Sequence, residues 1–407
     1  MAKINTGCLR NGIRLVQQTT DSPVAHFGLM LNAGSRDELP DEQGIAHFIE
    51  HVIFKGTTTR KAFHIISRME DVGGELNAYT SKEETAIYSS FLTPHTARAM
   101  ELISDIVANS IFPARELERE KEVIIEEIKS CMDNPQDMIF DDFDELLFSG
   151  HPIARNILGT PKLVRSFSRE KALRFIAENY CTTEMVLSLA GNVPFERFQA
   201  LAERYFGHMP EKRRPEERLK FSSYTPQTRR ISKSTRQLHC ILGNIACDAQ
   251  SPNRTTMALL NNLLGGPAMS SRLNMSLREH HGLVYNVEST YIAFSDTGEF
   301  SISFGAAHNE LENALHLIYK ELNRLKTTKL GILQLSKAKK QFLGQLALAN
   351  EDKDEVMLSM GRNFLLFNRI DDSEKILHDI EQITAEKLCE IANEIFDEQM
   401  FSMLIYE

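Results

Sequence analysis

No stretch of this 407-residue chain reaches the roughly 18 consecutive apolar residues of a membrane-spanning helix. The opening "MAKINTGCLRNGIRLVQQ" lacks the apolar run of a secretory signal. With only Lys3 and Arg10 ahead of the first strand-like segment, it also lacks the Arg-rich character of an organellar presequence. Positive charge is short as well. The 46 Lys and Arg stand against 56 Asp and Glu, a formal net charge of -10. An extended surface for nucleic acid or anionic membrane is therefore not expected. The six cysteines (8, 131, 181, 240, 247 and 389) show no CxxC spacing. That gives no sulfur-rich metal site and suits a reducing compartment. A cytoplasmic, bacterial-type protein is the simplest expectation, with neither nucleic acid nor membrane as partner. The chain has the composition of a globular protein, 42% hydrophobic and 25% charged, and its length allows two or three domains.

Hydrophobic periodicity predicts an α+β chain. Strands are expected at Gly12–Gln18 and in "AHFGLMLNAGS", helices over Ile45–Phe54 and 60–72, then strands "ELNAYTS" and "TAIYSSFL". Two helices come next, "TPHTARAMELISDIVANS" and "PARELEREKEVIIEEIKSCM", and later a helix over 168–180, the strand "EMVLSLAGN" and the helix "PFERFQALAERYFG". The charged segment 208–220, with two prolines, reads as a linker between a domain at 1–207 and a second at 221–407. Beyond it come "QLHCILGNIAC", "RTTMALLNNLLGG", the paired strands "LVYNVESTYIA" and "EFSISFGA", and two long helices over 309–346. The helix "TAEKLCEIANEIF" and the strand "FSMLIYE" close the chain. Residues 168–180 and 384–396 resemble each other at an offset of 216. Each precedes an apolar strand, which favours two similarly built domains.

The segment "GIAHFIEHVIFKG" (44–56) places His47 and His51 four residues apart, so a helix brings both imidazoles to one face. Glu50, on the flank of that face, stands where it can take a proton from a water held near an ion. Ile45, Phe48, Ile49, Val52, Ile53 and Phe54 make the helix apolar nearly all round. A buried helix needs partners for its imidazoles and carboxylate. A solvated helix face is the bland alternative. Two histidines are too few for a catalytic zinc, which takes three protein ligands and leaves a fourth position open. On the long helix from 114, Leu117, Glu120, Ile124 and Glu127 share one stripe. One of its two carboxylates would bind an ion and the other support the ligands; spacing does not say which.

His47-Phe48-Ile49-Glu50-His51 is the inverted zinc motif HxxEH, and the chain resembles the insulinase-like, pitrilysin-type metallopeptidases. It is most similar to short bacterial members related to the β-subunit of the mitochondrial processing peptidase. The resemblance implies two homologous α/β-sandwich domains forming half of a clamshell, the second without the zinc motif. It implies Glu127, in "VIIEE", as third ligand and Glu120 as its supporting carboxylate. In "MEDVGGELNAYTSKEETAIYSSFL" (69–92) it implies an edge strand that receives a peptide, with Asn77 and Ala78 flanking the scissile bond. "HPIARNILGT" and "MVLSLAGNV" match further landmarks. In "SRLNMSLREHHGLVYNVES" (271–289), Arg278 and Tyr285 match residues that hold the substrate backbone.

The activity this resemblance implies is that of a zinc endopeptidase, with one Zn2+ per chain, hydrolysing peptides or unfolded segments in a cleft between the domains. Glu50 would be the general base, and Tyr285 would share stabilisation of the oxyanion. Cobalt or manganese would suit the same donors. A homodimer, or a heterodimer with an inactive homologue, is expected. The competing reading is a non-catalytic structural or partner subunit of such an assembly. A metal-storing protein is a third, but it leaves the edge-strand segment, Arg278 and Tyr285 without a purpose.

Overall fold

The structure, a computed structural model, describes residues 4–215, 217–233, 235–370 and 373–407. Glu216, inside the segment expected as a linker, lies outside the described residues. The strands are β1 (Ile4–Cys8), β2 (Arg14–Thr19), β3 (Val24–Leu31), β4 (Glu75–Thr80), β5 (Thr85–Leu92), β6 (Met185–Gly191), β7 (Thr228–Ile231), β8 (Leu238–Ala246), β9 (Val284–Ala293), β10 (Gly298–Ala306) and β11 (Ser402–Tyr406). The first helices are α1 (Ile45–Val52), α2 (Ala62–Glu70), α3 (Thr96–Asn109), α4 (Ala114–Met132), α5 (Pro135–Leu147), α6 (Pro161–Ser166), α7 (Arg169–Asn179) and α8 (Phe195–Phe206). They are followed by α9 (Arg254–Gly265), α10 (Leu311–Thr327), α11 (Ile332–Ala349), α12 (Lys353–Phe367), α13 (Ser373–Gln382) and α14 (Ala385–Ile395). No described helix is long and apolar enough to cross a membrane.

Two compact units result, and neither is contiguous in sequence. The first comprises 1–129, 155–218 and 349–370; the second comprises 130–154, 219–348 and 371–407. A division into 1–207 and 221–407 therefore differs from these units in two segments, one carrying α5 and the other α12. The reason lies in the strands, whose side chains alternate between faces. In the first unit the sheet order is β1-β2-β6-β3-β5-β4, and every neighbouring pair is antiparallel except β2–β6. Leu15, Phe27, Leu29, Ile87, Leu187 and Leu189 point into a core shared with α1, α3, α4, α7 and α8. The alternate residues Val16, Met30, Ala86, Val186 and Ala190 face the other way and pack against Met357, Leu358, Met360, Phe364 and Leu365 of α12. Both faces are apolar, so both need cover. Close approach of α12 depends on missing side chains. A Cβ on Gly361 would stand 2.6 Å from Cγ of Met30, and one on Gly28 would stand 2.7 Å from the sulfur of Met357. Ser188 Oγ donates to the carbonyl of Met357 at 2.6 Å and Arg14 to that of Phe364 at 2.8 Å.

In the second unit the order is β7-β11-β8-β10-β9, with β7–β11 the parallel pair. Cys240, Leu242, Phe300, Ile302, Phe304 and Ile405 face α9, α10 and α14. Ile241, Leu404 and Tyr406 face Ile139, Phe143, Leu146 and Leu147 of α5. The Tyr406 hydroxyl donates to Asp142 at 2.6 Å. Apart from β1, the two sheets thus have the same order and the same pattern of parallel and antiparallel pairs. The two similar sequence segments form α7 and α14, each leading to a central strand, β6 or β11. Their N-caps are alike: Ser168 accepts from the Lys171 amide at 3.3 Å and Thr384 from the Lys387 amide at 3.1 Å.

Candidate metal centre and edge strand

The start of α1 is fixed from outside the helix. Gly44 precedes it with φ 95°, in the left-handed region. A Cβ there would meet the Leu158 carbonyl at 2.7 Å and Cα of Gly159 at 2.8 Å. The carboxylate of Glu38 accepts from the Gly44 and Ala46 amides, both at 2.9 Å, satisfying two donors that the first turn leaves open. Burial pushes the Glu38 pKa up to about 8, against the pull of those two amides and of Arg155.

From this anchored start, Ile45, Phe48, Ile49 and Val52 turn into the core. His47 is 7% exposed, while Glu50 and His51 are half-buried. The two imidazole rings stand 4.7 Å apart, centroid to centroid. On α4, Leu117 and Ile124 are buried and carry Glu120 and Glu127 toward α1. Glu127 places one oxygen 3.7 Å from His47 Nε2 and the other 3.3 Å from His51 Nε2. Glu120 stands 3.5 Å from His51 Nδ1 and pairs with Lys55 at 2.9 Å. The two carboxylates of the stripe thus differ in position. Glu127 spans both Nε2 atoms, whereas Glu120 lies behind one ring.

Burial, with His51 adding to it, lowers the His47 pKa to about 4. At neutral pH His47 is therefore uncharged and makes no ion pair with Glu127. The Nδ1 of His47 is buried without a hydrogen-bond partner among the described residues. A neutral imidazole and a carboxylate converging in a buried place are a poor arrangement unless a cation lies between them. The spacing suits one. A four-coordinate ion held at about 2.0–2.1 Å sets its ligand atoms about 3.3–3.4 Å apart. One donor atom each from His47, His51 and Glu127 lies within 4.8 Å of the others, the one such group found among the described residues. Two imidazoles and one carboxylate fit zinc, and with three protein donors the fourth position stays free.

Glu50 lies beside Thr80, the last residue of β4. Burial raises its pKa, helped by the charge of Glu127 and opposed by Thr80 and His51. α1 packs against β4, and β4 is the edge of its sheet, paired on one side with β5 from Glu75↔Ser90 to Thr80↔Thr85. Asn77 is exposed and Ala78 half-buried on that strand. An edge strand beside the His-His-Glu group offers unpaired backbone donors and acceptors to an extended peptide.

Residues 14–161 match the family Insulinase (Peptidase family M16), and residues 166–342 match Peptidase M16 inactive domain. A Rickettsia felis protein named an uncharacterized zinc protease is 34% identical over 98% of this chain and 97% of its own length. The chain belongs to the insulinase-like M16 peptidases. A second relative of this family, the uncharacterized zinc protease YmxG of Bacillus subtilis, is 32% identical over 97% of this chain and 96% of its own. Among solved structures, a peptidase M16 inactive domain from Pseudomonas fluorescens superposes with a TM-score of 0.92 at 19% identity. It covers 99% of this chain and 97% of its own, and the likeness is one of fold. Family membership, the relatives' names and the His-His-Glu group together support a zinc peptidase.

Within this family Arg278 and Tyr285 fall in the stretch matched by the inactive domain. Both belong to the second unit. Arg278 is exposed in a π-helical turn, Asn274–His280, with Nε 3.8 Å from Glu279. Tyr285 is 67% exposed on β9, the edge strand of the second sheet. Glu38 is a functional support that no sequence motif marks. It is one of four acids in "DELPDEQG" ahead of Gly44, and nothing local singles it out as a cap for a helix that begins seven residues later.

Proposed function

We propose that this chain is a zinc-dependent endopeptidase acting on peptides or unfolded segments, with His47, His51 and Glu127 holding the ion. The observation that carries this reading is the convergence of two histidines, one of them held neutral, on a single carboxylate beside the half-buried Glu50. When bound, a zinc ion supplies Lewis-acid polarisation of the scissile carbonyl and acidifies water. The chain's own groups do the rest. Glu50 takes a proton from the attacking water and returns it to the leaving amine. Its burial raises its basicity for that task. Glu120 orients His51 from behind, at Nδ1. A peptide adds to β4 as a further strand, so that Asn77 and Ala78 flank the bond to be cut. Selection then rests mainly on backbone, with few side-chain demands. Arg278 and Tyr285 are assigned to the substrate backbone, the tyrosine as a donor to the developing oxyanion. The working form is a homodimer or a heterodimer with a homologous chain.

The test is metal content measured beside cleavage of a quenched mixed-peptide library. About one zinc per chain is expected, with cleavage lost to a chelator and restored by zinc. Glu50→Gln should keep the zinc and lose roughly 10²–10⁴-fold in kcat. A Glu50→Gln chain that cleaves at the normal rate would falsify the mechanism. A second reading, a non-catalytic partner subunit, is favoured by the name of the Pseudomonas fluorescens neighbour. It gains if the chain neither holds metal nor cleaves after zinc reconstitution.

A further inference from the structure

A cavity of about 540 Å³ opens in the second unit between the π-helical turn, α10 and the segment leading into α11. Its size lies within the range of small-molecule sites. Its charge is one-sided. Arg272, Lys320, Arg324 and Lys329 line it together with one carboxylate, Glu321, and two histidines, His280 and His281. Lys329 is paired with Glu386 at 3.0 Å, and Arg324 with Glu321 at 2.9 Å. Arg272 is different. Its side chain is 23% exposed, its one ion pair is the 3.9 Å approach to Glu321, and it makes no hydrogen bond among the described residues. Burial lowers its pKa, with Glu321 opposing.

The Arg272 guanidinium thus keeps donors that no other side chain uses and that are open to solvent or to a ligand in the cavity. Guanidinium groups match phosphate oxygens two at a time. The rest of the wall mixes Met275, Leu317 and Leu330 with the polar Ser270, Ser276, Thr328 and Gln334. We propose that this cavity binds a small phosphate-bearing molecule, its phosphate or diphosphate group held by Arg272, Arg324 and Lys320. Every lining residue belongs to the second unit and none is a candidate metal ligand, although the π-helical turn that lines it also carries Arg278. Glu321 has two consequences. It holds Arg272 and Arg324 on the same side, and it repels an incoming anion, which keeps the affinity moderate.

The experiment is calorimetric titration of inorganic pyrophosphate, and in parallel ADP, into the full chain stripped of metal, at low ionic strength. Removing metal excludes binding through the zinc ligands. One saturable site is expected, weakened by added salt. Lys320→Ala with Arg324→Gln, both on the exposed rim, should weaken it at least about tenfold, a charge-assisted contact's worth. Arg272→Gln should do the same, and Glu321→Gln should tighten binding. Equal affinity for pyrophosphate and ADP identifies a free oxyanion as ligand, and tighter ADP identifies an organic phosphate whose organic part reaches Met275, Leu317 and Leu330. The proposal is overturned if neither probe saturates, if only an acidic polypeptide such as polyglutamate binds, or if the rim double variant, shown folded by its melting curve, binds as the parent does.

Discussion

In the first unit α1 and α2 connect β3 to β4; in the second, α9 and a π-helical turn connect β8 to β9. β5 and β10 come next, then α3 with α4 and α10 with α11. The sheets have the same order, yet the corresponding helices carry different chemistry. α1 bears His47, Glu50 and His51, faced by Glu120 and Glu127 of α4. In the second unit, Asn261 and Asn262 of α9 line a cavity of about 290 Å³ with Glu288 of β9 and Phe342 of α11. Among the described residues no second group of potential metal ligands forms there. This architecture therefore packs without the donors. The candidate donors of the first unit are an addition to the scaffold, at the cost of a buried neutral histidine and a carboxylate of raised pKa.

That comparison can be broken at the donors themselves. Glu127→Gln should remove most of the bound zinc and most of the activity. Glu288→Gln, in the cavity beside α9 of the second unit, should leave zinc content unchanged. Metal analysis of both variants decides it, and equal loss in the two would mean that the units are not chemically distinct. A smaller effect is expected one step out from the ion. Glu120→Gln, which weakens the support at His51 Nδ1, should lower zinc affinity roughly 10–100-fold while leaving the fold intact, as competition with a chelating dye would measure.

The smallest effect concerns the exchanged helices. Gly361→Ala puts a methyl group against Met30 and should destabilise the first unit by about 1–3 kcal/mol. Its melting temperature should fall with zinc content per folded chain unchanged. No effect on melting would mean that α12 packs less closely on its sheet than described.

Much of the strand and helix order was legible because it rests on local periodicity. "TAIYSSFL" became β5 over Thr85–Leu92, and the Leu117–Glu120–Ile124–Glu127 stripe became the side of α4 that faces His47 and His51. β1, β7, α5 and α12 were not legible. β1 and β7 are short and lie at sheet edges, with few buried residues to mark them. α12 contains Gly361, which lowers helix propensity and has its use only in close contact with Met30. α5 mixes Phe140, Phe143 and Leu147 with Asp141, Asp142 and Asp144, and one of these acids finds its purpose only in the hydroxyl of Tyr406, 264 residues away in sequence. Such pairings leave no periodic trace.

The sequence by itself determined that His47 and His51 share a helix face, because four residues make about one turn whatever surrounds them. It also determined most of the order of strands and helices, because their periodicity is local. Only the tertiary structure decided which oxygen meets which nitrogen. Glu120 and Glu127 are equivalent on the stripe of α4, and they are separated only by how α4 crosses α1. It also decided that each sheet takes its second cover from the other half of the chain. The physical reason is the same in both cases. Backbone geometry is local and repeats along the chain, whereas the fit of one apolar or charged surface to another depends on residues that the chain brings together only on folding.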